Sequence, residues 1–514
     1  MTRRCFWLVF ALVFAWQVAL FVFTAQPVPA NDAFFYDGAA VHYLLHGGYY
    51  NPTLALALPI SGHKLFSAYP PLYQLPLLGW MSLFGTSAYS VMAMHLAFFG
   101  LYLVVLLAIL RRLQIPGWCI NLAGGFLLVL TFHDRPDSLA HLLGILAIYA
   151  AVRSSRVLNP ESPRRLWVWL MALLIVLTLC TSLQIGGTYL AIAFIVTIAA
   201  ALAGGEPIPF IPLSFMVLAP IALVLLVKFA LPEAWAGFRE HASQTPTLTG
   251  LRLPHWQEAL KIIRTIPGIL VVMVLLPFSW LKLHDDFSGA ERRCEIILWS
   301  TLLPTIGIIF ASLFFLTSND IGIAAYLQPL IVAAYLGFSA SLRGGQNWQR
   351  IQVWCLIPAI LLCSVRAIGM TTWGVACARD VSYWQATQRV EQELANKPSG
   401  SKIVMSSAFL YGAMKHGDLD LIHSDWMEPA KTRPPISDSQ SLMTLRPEKI
   451  ILTQFDYYRR YQSVLGQLNP NAVGIEVINT ARTRAPDSYP SLRQVVQHIC
   501  WAPVIVNLSW RTGK

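Results

Sequence analysis

The stretch NDAFFYDGAAVHYLLHGGYYNP, residues 31–52, decides how the rest of the chain is read. It follows directly on an apolar run that begins near Cys5. That run is about 20 residues long, the length needed to cross a bilayer core. Asp32 therefore emerges where a membrane helix would end. A helical pattern follows and stops at Gly47-Gly48. Asp32 or Asn31 either caps this second helix by accepting its free N–H groups or places a carboxylate at the membrane surface as a general base. The two roles are compatible. Asp37 lies roughly 140° round the helix from Asp32, so the pair is not read as a metal site.

Composition supports a membrane setting. Of the 514 residues 56% are apolar and only 12% are charged, against roughly a quarter charged in a soluble domain. Lipid-facing helices need no polar face, which accounts for the deficit. The net charge of +11 would suggest nucleic acid in a soluble chain. Here many Arg and Lys residues fall in short loops between apolar runs, where they set topology, and no nucleic-acid partner is expected. The eight cysteines show no CxxC and no Cys/His cluster.

About eleven apolar runs are long enough to span. They begin near Cys5, Tyr89, Trp118, Ser138, Leu166, Gly187, Pro209, Ile266, Ile296, Ile321 and Ile351. The run from Trp118 is short and is expected to be locally irregular. Residues 69–84 form a further apolar stretch, broken by Pro70, Pro71 and Pro76 into an interfacial or re-entrant segment. With Arg3 and Arg4 in the cytoplasm, alternate loops carrying Arg111, Arg112, Arg153, Arg164, Arg165, Arg292, Arg293 and Arg343 also fall inside. An odd number of spans puts the tail outside. Residues 1–30 also have the outline of a cleavable signal peptide, but the long apolar stretch and Pro29 favour an uncleaved first helix.

The expected fold is thus an α-helical polytopic membrane protein of the inner (plasma) membrane. A transmembrane domain covers 1–370, with a long outer loop at 26–87, and a small extracytoplasmic α/β domain covers 371–514. In the tail a helix is expected over 383–396 and strands over 402–406, 449–453, 473–478 and 504–508. Cys377 and Cys500 would both face the oxidising side, as a disulfide or as two thiols.

Polar residues gather at the outer ends of the spans. HKLFSAYPPLY, residues 63–73, holds Lys64, which suits a phosphate or the headgroups, and Tyr69 and Tyr73 beside a Pro-Pro turn. HDRPDSLAHLL, residues 133–143, places Arg135 between Asp134 and Asp137. Arg is suited to a phosphate or to orienting a carboxylate, although a salt-bridged turn would look the same. The loop from Pro232 to Arg264 either covers a site or is a solvated connection. Tyr326 and Gln328 enter the tenth span, and Gln184 follows the fifth. His95 and His141 lie singly inside apolar runs and read as packing residues.

In order, a first span, an acidic residue, an amphipathic segment ending in Gly-Gly, a Pro-Pro-Leu-Tyr turn and an Arg-Pro-Asp segment resemble the GT-C superfamily of polytopic glycosyltransferases. Within it the chain is similar to bacterial relatives of protein O-mannosyltransferases and lipid A aminoarabinose transferases. NDAFFYDGAA resembles the family's DD/DE-A-x-Y-Y segment, AYPPLY its Pro-Pro-Leu turn, and HDRPDSLAHLLGILAIY its Arg-Pro-Asp-led helix. The chain departs from the pattern at Asn31, Ala33 and Leu183, where relatives carry Asp, Glu and Lys.

The resemblance implies a polyprenyl-phosphate-linked sugar as donor and a lipid, glycan or protein acceptor, with inversion at the anomeric carbon. Asp32 is the implied catalytic base. Arg135 and Lys64 are the implied phosphate ligands, and Asp137, Asp37, Tyr69, Gln184 and Tyr326 the further substrate-binding residues. No cofactor is implied with certainty; a divalent cation remains an open expectation, with one carboxylate where relatives have two. A transporter or flippase would place its charges nearer the bilayer midplane, and a non-catalytic envelope assembly protein would keep the fold without the chemistry. Asp32 and Arg135 meeting at one place would mark the enzyme.

Overall fold

The computed structural model describes residues 7–29, 33–130, 135–159, 164–244, 253–254, 256–280, 289–315, 321–341, 346–427, 437–479 and 501–511. Asn31, Asp32, His133, Asp134, Asn319, Asp320 and Cys500 lie outside the described residues.

Helix α1 (Leu8–Thr24) leads into the first loop, made of α2 (Ala33–His46), the short α3 (Pro59–His63), a 3-10 turn at Pro71–Tyr73 and α4 (Gln74–Phe84). Gly85 at φ +86° turns the chain out of α4, a conformation that favours glycine. Ser87 then accepts from the Ser90 amide and caps α5 (Ala88–Arg112). The bundle continues through α6 (Gly117–Gly124), α7 (Asp137–Ser154), α8 (Arg164–Leu179), α9 (Leu183–Ala203) and α10 (Phe210–Ala230). Two helices, α11 (Pro232–Gln244) and α12 (Trp256–Thr265), fill the long loop before α13 (Pro267–Trp280), α14 (Gly289–Phe314), α15 (Ile321–Ser341) and α16 (Gln346–Asp380).

Each apolar run of the sequence coincides with one of these helices. Among the described residues, six are long and apolar enough to cross a membrane, and a seventh span results if α12 and α13, bent by 88°, count as one. The run from Trp118 gives α6 and then a 3-10 turn at Gly125–Val129, which is the irregularity expected of it. Position 370, the expected domain boundary, lies inside α16, whose helix runs on to Asp380. The chain therefore enters its tail on a continuous helix.

The tail begins with α17 (Tyr383–Ala395), closed by a capping box between Ser382 and Gln385. Strands β1 (Lys402–Met405), β2 (Asp420–His423), β3 (Lys449–Thr453), β4 (Val473–Asn479) and β5 (Pro503–Trp510) form one sheet in the order β2-β1-β3-β5-β4. The first three are parallel, and β5 is antiparallel to β3 and β4. Between strands lie α18 (Ser407–Ala413), α19 (Asp438–Leu445), the three-residue α20 (Gln454–Asp456) and, after a π turn, α21 (Gln462–Gly466). Strand β2 has no counterpart in the sequence reading: four residues, DLIH, are too few to carry an alternation.

Alternation along the strands decides what the sheet covers. Val404, Ile450, Leu452, Val504 and Val506 point into a core with α19 and α21. Ile403, Met405, Ile451 and Ile505 point the other way, into a core shared with Phe34, Phe35, Leu54, Tyr73 and Leu77 of the first loop. Trp501 seals this junction, fully buried, with its indole N–H donating to Ala25 O at 2.9 Å. The first loop and one face of the tail sheet thus form a single hydrophobic core.

Candidate functional site

The start of α2 is gripped from several directions. From the tail, Ser407 Oγ accepts the Phe34 amide at 3.4 Å, Trp426 stacks on Phe35 at 4.8 Å between ring centroids, and Tyr411 meets Phe34 edge-on at 4.9 Å. From the first loop, Asn51 Nδ2 donates to Phe34 O at 3.0 Å and Gln74 Nε2 to Tyr36 O at 2.7 Å. Gly38 is needed here because a Cβ at that position would fall 2.2 Å from Asn51 Nδ2.

Helix α11 closes another side. His241 lies against Phe35 at 5.0 Å and Trp426 at 6.1 Å. Glu240 accepts from the Ile60 amide at 3.2 Å, in the first turn of α3, where a carboxylate is favoured. Burial among the aromatic rings pulls the His241 imidazole down to about 4, since desolvation disfavours its charged form. Helix α11 of the long loop therefore covers one side of the first-loop core.

Arg135 stands at the centre of the polar groups. Its guanidinium donates to the Tyr36 hydroxyl at 3.2 Å, lies 5.4 Å from the Tyr36 ring centroid, and pairs with Asp137 at 3.6 Å. Both charged side chains keep partial exposure, 35% and 27%. A guanidinium has five N–H donors, so Arg135 can hold Tyr36 and Asp137 and still receive a phosphate. Tyr69 packs edge-on against Tyr36 at 4.8 Å and donates to Ser182 Oγ at 3.1 Å. Next to it, the Leu72 amide donates to Cys180 O at 3.1 Å. The Pro-Pro turn thereby ties α2 to the junction of α8 and α9, where Gln184 is exposed.

Asp37 sits beneath this surface, fully buried. Tyr411 donates to one carboxylate oxygen at 2.6 Å and Tyr73 to the other at 2.9 Å. Tyr73 also lies 3.0 Å from His95 Nε2, and His95 Nδ1 lies 2.5 Å from Ser138 Oγ. An ionised carboxylate only accepts, so with Asp37 ionised the direction of the chain follows. Ser138 donates to His95, His95 to Tyr73, and Tyr73 to Asp37. Ser138 lies in the first turn of α7, with its Oγ 3.3 Å from Arg135 O. The chain thus runs from Ser138, three residues after Arg135, to Asp37, next to Tyr36.

Of the residues proposed from sequence, the structure brings together Arg135, Asp137 and Tyr69, with Asp37 below them. Tyr326 is buried on α15, stacked on His141 at 3.8 Å, and near enough to Asp137 to feel its charge. Lys64 is exposed at the end of α3 and has no described contact with the Arg135 group. Asp32 lies outside the described residues, immediately before α2. Among the described residues no group of three His, Cys, Asp or Glu side chains is arranged to hold a metal ion.

Tyr36, Tyr73, His95, Ser138 and Tyr411 were not singled out from sequence as site residues. Tyr36 and Tyr73 stand inside the two quoted motifs, so that signal was present. His95 and His141 are buried packing residues as expected, yet both are hydrogen-bonded, His141 to the Tyr189 hydroxyl at 3.1 Å. Nothing local marks Tyr411, because its partner Asp37 is 374 positions away.

No protein-family model matches the sequence, and no curated protein matches it. The fold does match solved structures. ArnT from Cupriavidus metallidurans in the apo state aligns with a TM-score of 0.54 at 13% identity, over 97% of both chains. The same protein bound to undecaprenyl phosphate aligns with a TM-score of 0.50 at 14% identity, over 97% of both chains. An Archaeoglobus fulgidus oligosaccharyltransferase, tethered to an acceptor peptide containing the NVT sequon, gives 0.51 at 9% identity over 90% of this chain and 70% of that one. The chain thus shares the fold of ArnT and of this oligosaccharyltransferase.

Proposed function

We propose that this membrane protein is a glycosyltransferase that moves a sugar from a polyprenyl-phosphate donor to a hydroxyl of a lipid, glycan or protein acceptor on the outer face of the inner membrane. The observation that carries the proposal is Arg135. Its guanidinium is held by Tyr36 at 3.2 Å on the helix that starts directly after Asp32, in a fold shared with a protein that binds undecaprenyl phosphate. The cytoplasmic N-terminus and outer tail rest on the distribution of Arg and Lys between loops.

In the proposed step the acceptor oxygen attacks the anomeric carbon from the face opposite the phosphate. The new C–O bond forms as the bond to the phosphate oxygen breaks, and the lipid phosphate leaves with the electron pair. Arg135 meets its charge, with Asp137 and Tyr36 fixing the guanidinium plane and Tyr69 walling the site. Lys64 and Gln184, each exposed on its own segment, and Tyr326, buried on α15, are assigned supporting contacts to the donor. The acceptor proton passes to the Asp32 carboxylate. A positioned base contributes about 10²–10⁴-fold, so Asp32→Asn in purified protein given lipid-linked sugar is expected to lose transfer by that factor. Undiminished transfer by a normally folded variant would overturn the assignment. Arg135→Gln is expected to weaken undecaprenyl phosphate binding without unfolding the bundle.

A further inference from the structure

The tail sheet does more than cover the first loop. Two residues of α18 reach the first turns of α2: Ser407 accepts the Phe34 amide, and Tyr411 donates to Asp37. Ser407 is itself held by His423 Nε2 at 2.8 Å, from the end of β2. The Asp425 amide donates to His423 Nδ1 at 3.1 Å, which makes Nε2 the protonated nitrogen and the donor to Ser407.

Asp37 is the hub of the arrangement. One of its oxygens takes Tyr411 from the tail, and the other takes the chain Ser138–His95–Tyr73 from the bundle. Its sequence neighbour Tyr36 accepts from Arg135, and the far end of the chain approaches Arg135 O. The guanidinium is therefore steadied by Tyr36, whose place on α2 lies next to that buried carboxylate. Such a carboxylate is costly to bury unless its oxygens are satisfied. Without the Tyr411 donor one oxygen of Asp37 loses its bond from the tail, and α2 is held at Asp37 from the bundle side by Tyr73.

We propose that Tyr411 is a positioning residue for the lipid-phosphate site: through Asp37 it fixes Tyr36 and hence Arg135, which makes the tail sheet a working part of that site. This rests on the donor reading above. The test uses the full chain in nanodiscs with undecaprenyl phosphate as probe, its binding followed by tryptophan fluorescence. The variants are Tyr411→Phe, Asp37→Asn, their combination, and Tyr461→Phe as control. Tyr461 is a buried tyrosine of the same tail, donating to Ser424 O at 2.8 Å on the other side of the sheet.

Tyr411→Phe is expected to raise the Kd about tenfold, a change of about 1.4 kcal/mol. Asp37→Asn is expected to do the same, and the double variant no more than the worse single one, since both act through one contact. Tyr461→Phe is expected to lower the thermal midpoint and leave the Kd unchanged. Hydrogen exchange at the α2 amides should rise in Tyr411→Phe and not in Tyr461→Phe. If Tyr411→Phe does not fold, Ser407→Ala carries the same expectation. A native chain that binds the probe while Tyr411→Phe binds equally well, or additive effects in the double variant, overturns the positioning role. A native chain that binds no undecaprenyl phosphate overturns the donor reading and this role with it.

Discussion

Replacing Gly38 by alanine sets two effects of known size against each other. In the middle of α2, alanine is favoured over glycine by about 1 kcal/mol from helix propensity alone. Against this, the new Cβ would stand 2.2 Å from Asn51 Nδ2, 2.5 Å from its Cγ and 2.7 Å from its Oδ1. Asn51 is fully buried and must leave. It would give up its bond to Phe34 O at 3.0 Å and the two it accepts from Thr53, at 3.2 Å from the amide and 2.7 Å from the hydroxyl. Three such bonds contribute about 0.5–1.5 kcal/mol each, and the buried groups left behind carry a desolvation cost. The bonds alone account for about 1.5–4.5 kcal/mol, so the net effect is a destabilisation of at least about 0.5–3.5 kcal/mol.

Thermal unfolding in nanodiscs reads the result, with Gly412→Ala as the comparison. Among the described residues no atom beyond its chain neighbours and its own helix backbone lies within 4 Å of a Cβ at Gly412, in α18, so there the propensity gain should stand alone. Gly38→Ala is expected to melt below the native protein and Gly412→Ala at or above it. A Gly38→Ala midpoint at or above the native value would refute the steric argument.

Three further outcomes are expected. The His241 pKa is depressed from 6.5 to about 4, so its contribution to stability is fully present above about 6.5 and is lost as pH falls toward 4. Hydrogen exchange in α11 should rise over that window, and His241→Phe should abolish the dependence. Asp456 behaves oppositely. Burial pushes its carboxyl up from 3.8 to about 6 despite bonds from Ser406 and Thr453, so its contribution is present at low pH and lost as pH rises from about 4 through 6. Asp456→Asn should flatten the tail's unfolding midpoint across that range. Cys377 is disulfide-bonded while Cys119, Cys180, Cys294, Cys355 and Cys363 are free. Non-reducing peptide mapping should therefore recover Cys377 in a linked peptide, and the identity of that peptide decides whether Cys500, left open by the sequence as a partner or a free thiol, is bonded to it.

What could be read from sequence follows the range of the interactions concerned. The apolar runs and the strands at 449–453 and 473–478 were legible because period and composition are local signals. Arg135, Asp137 and Tyr69 were legible because a charge or a Pro-Pro turn beside an apolar run stands out against its surroundings. Asp37 was visible as a charge, but its burial was not, since the two tyrosines that satisfy it come from a turn and from the tail. The aromatic layer of Phe35, Trp426 and His241 joins three distant segments, and no spacing rule connects them. The same holds for the core shared by the first loop and the tail sheet, which a boundary drawn at 370 divides.

That shared core has a consequence for the making of the protein. The Phe34 amide waits for a serine 373 positions later, and Ala25 O for an indole 476 positions later. At about 5–20 residues per second of synthesis, the first of these intervals alone is roughly 20–75 s. During that time the apolar side chains of Phe34, Phe35, Leu54 and Leu77 lack the sheet that will cover them. A ribosome stall or a truncation late in the gene therefore leaves uncovered the core of the segment that follows the first helix.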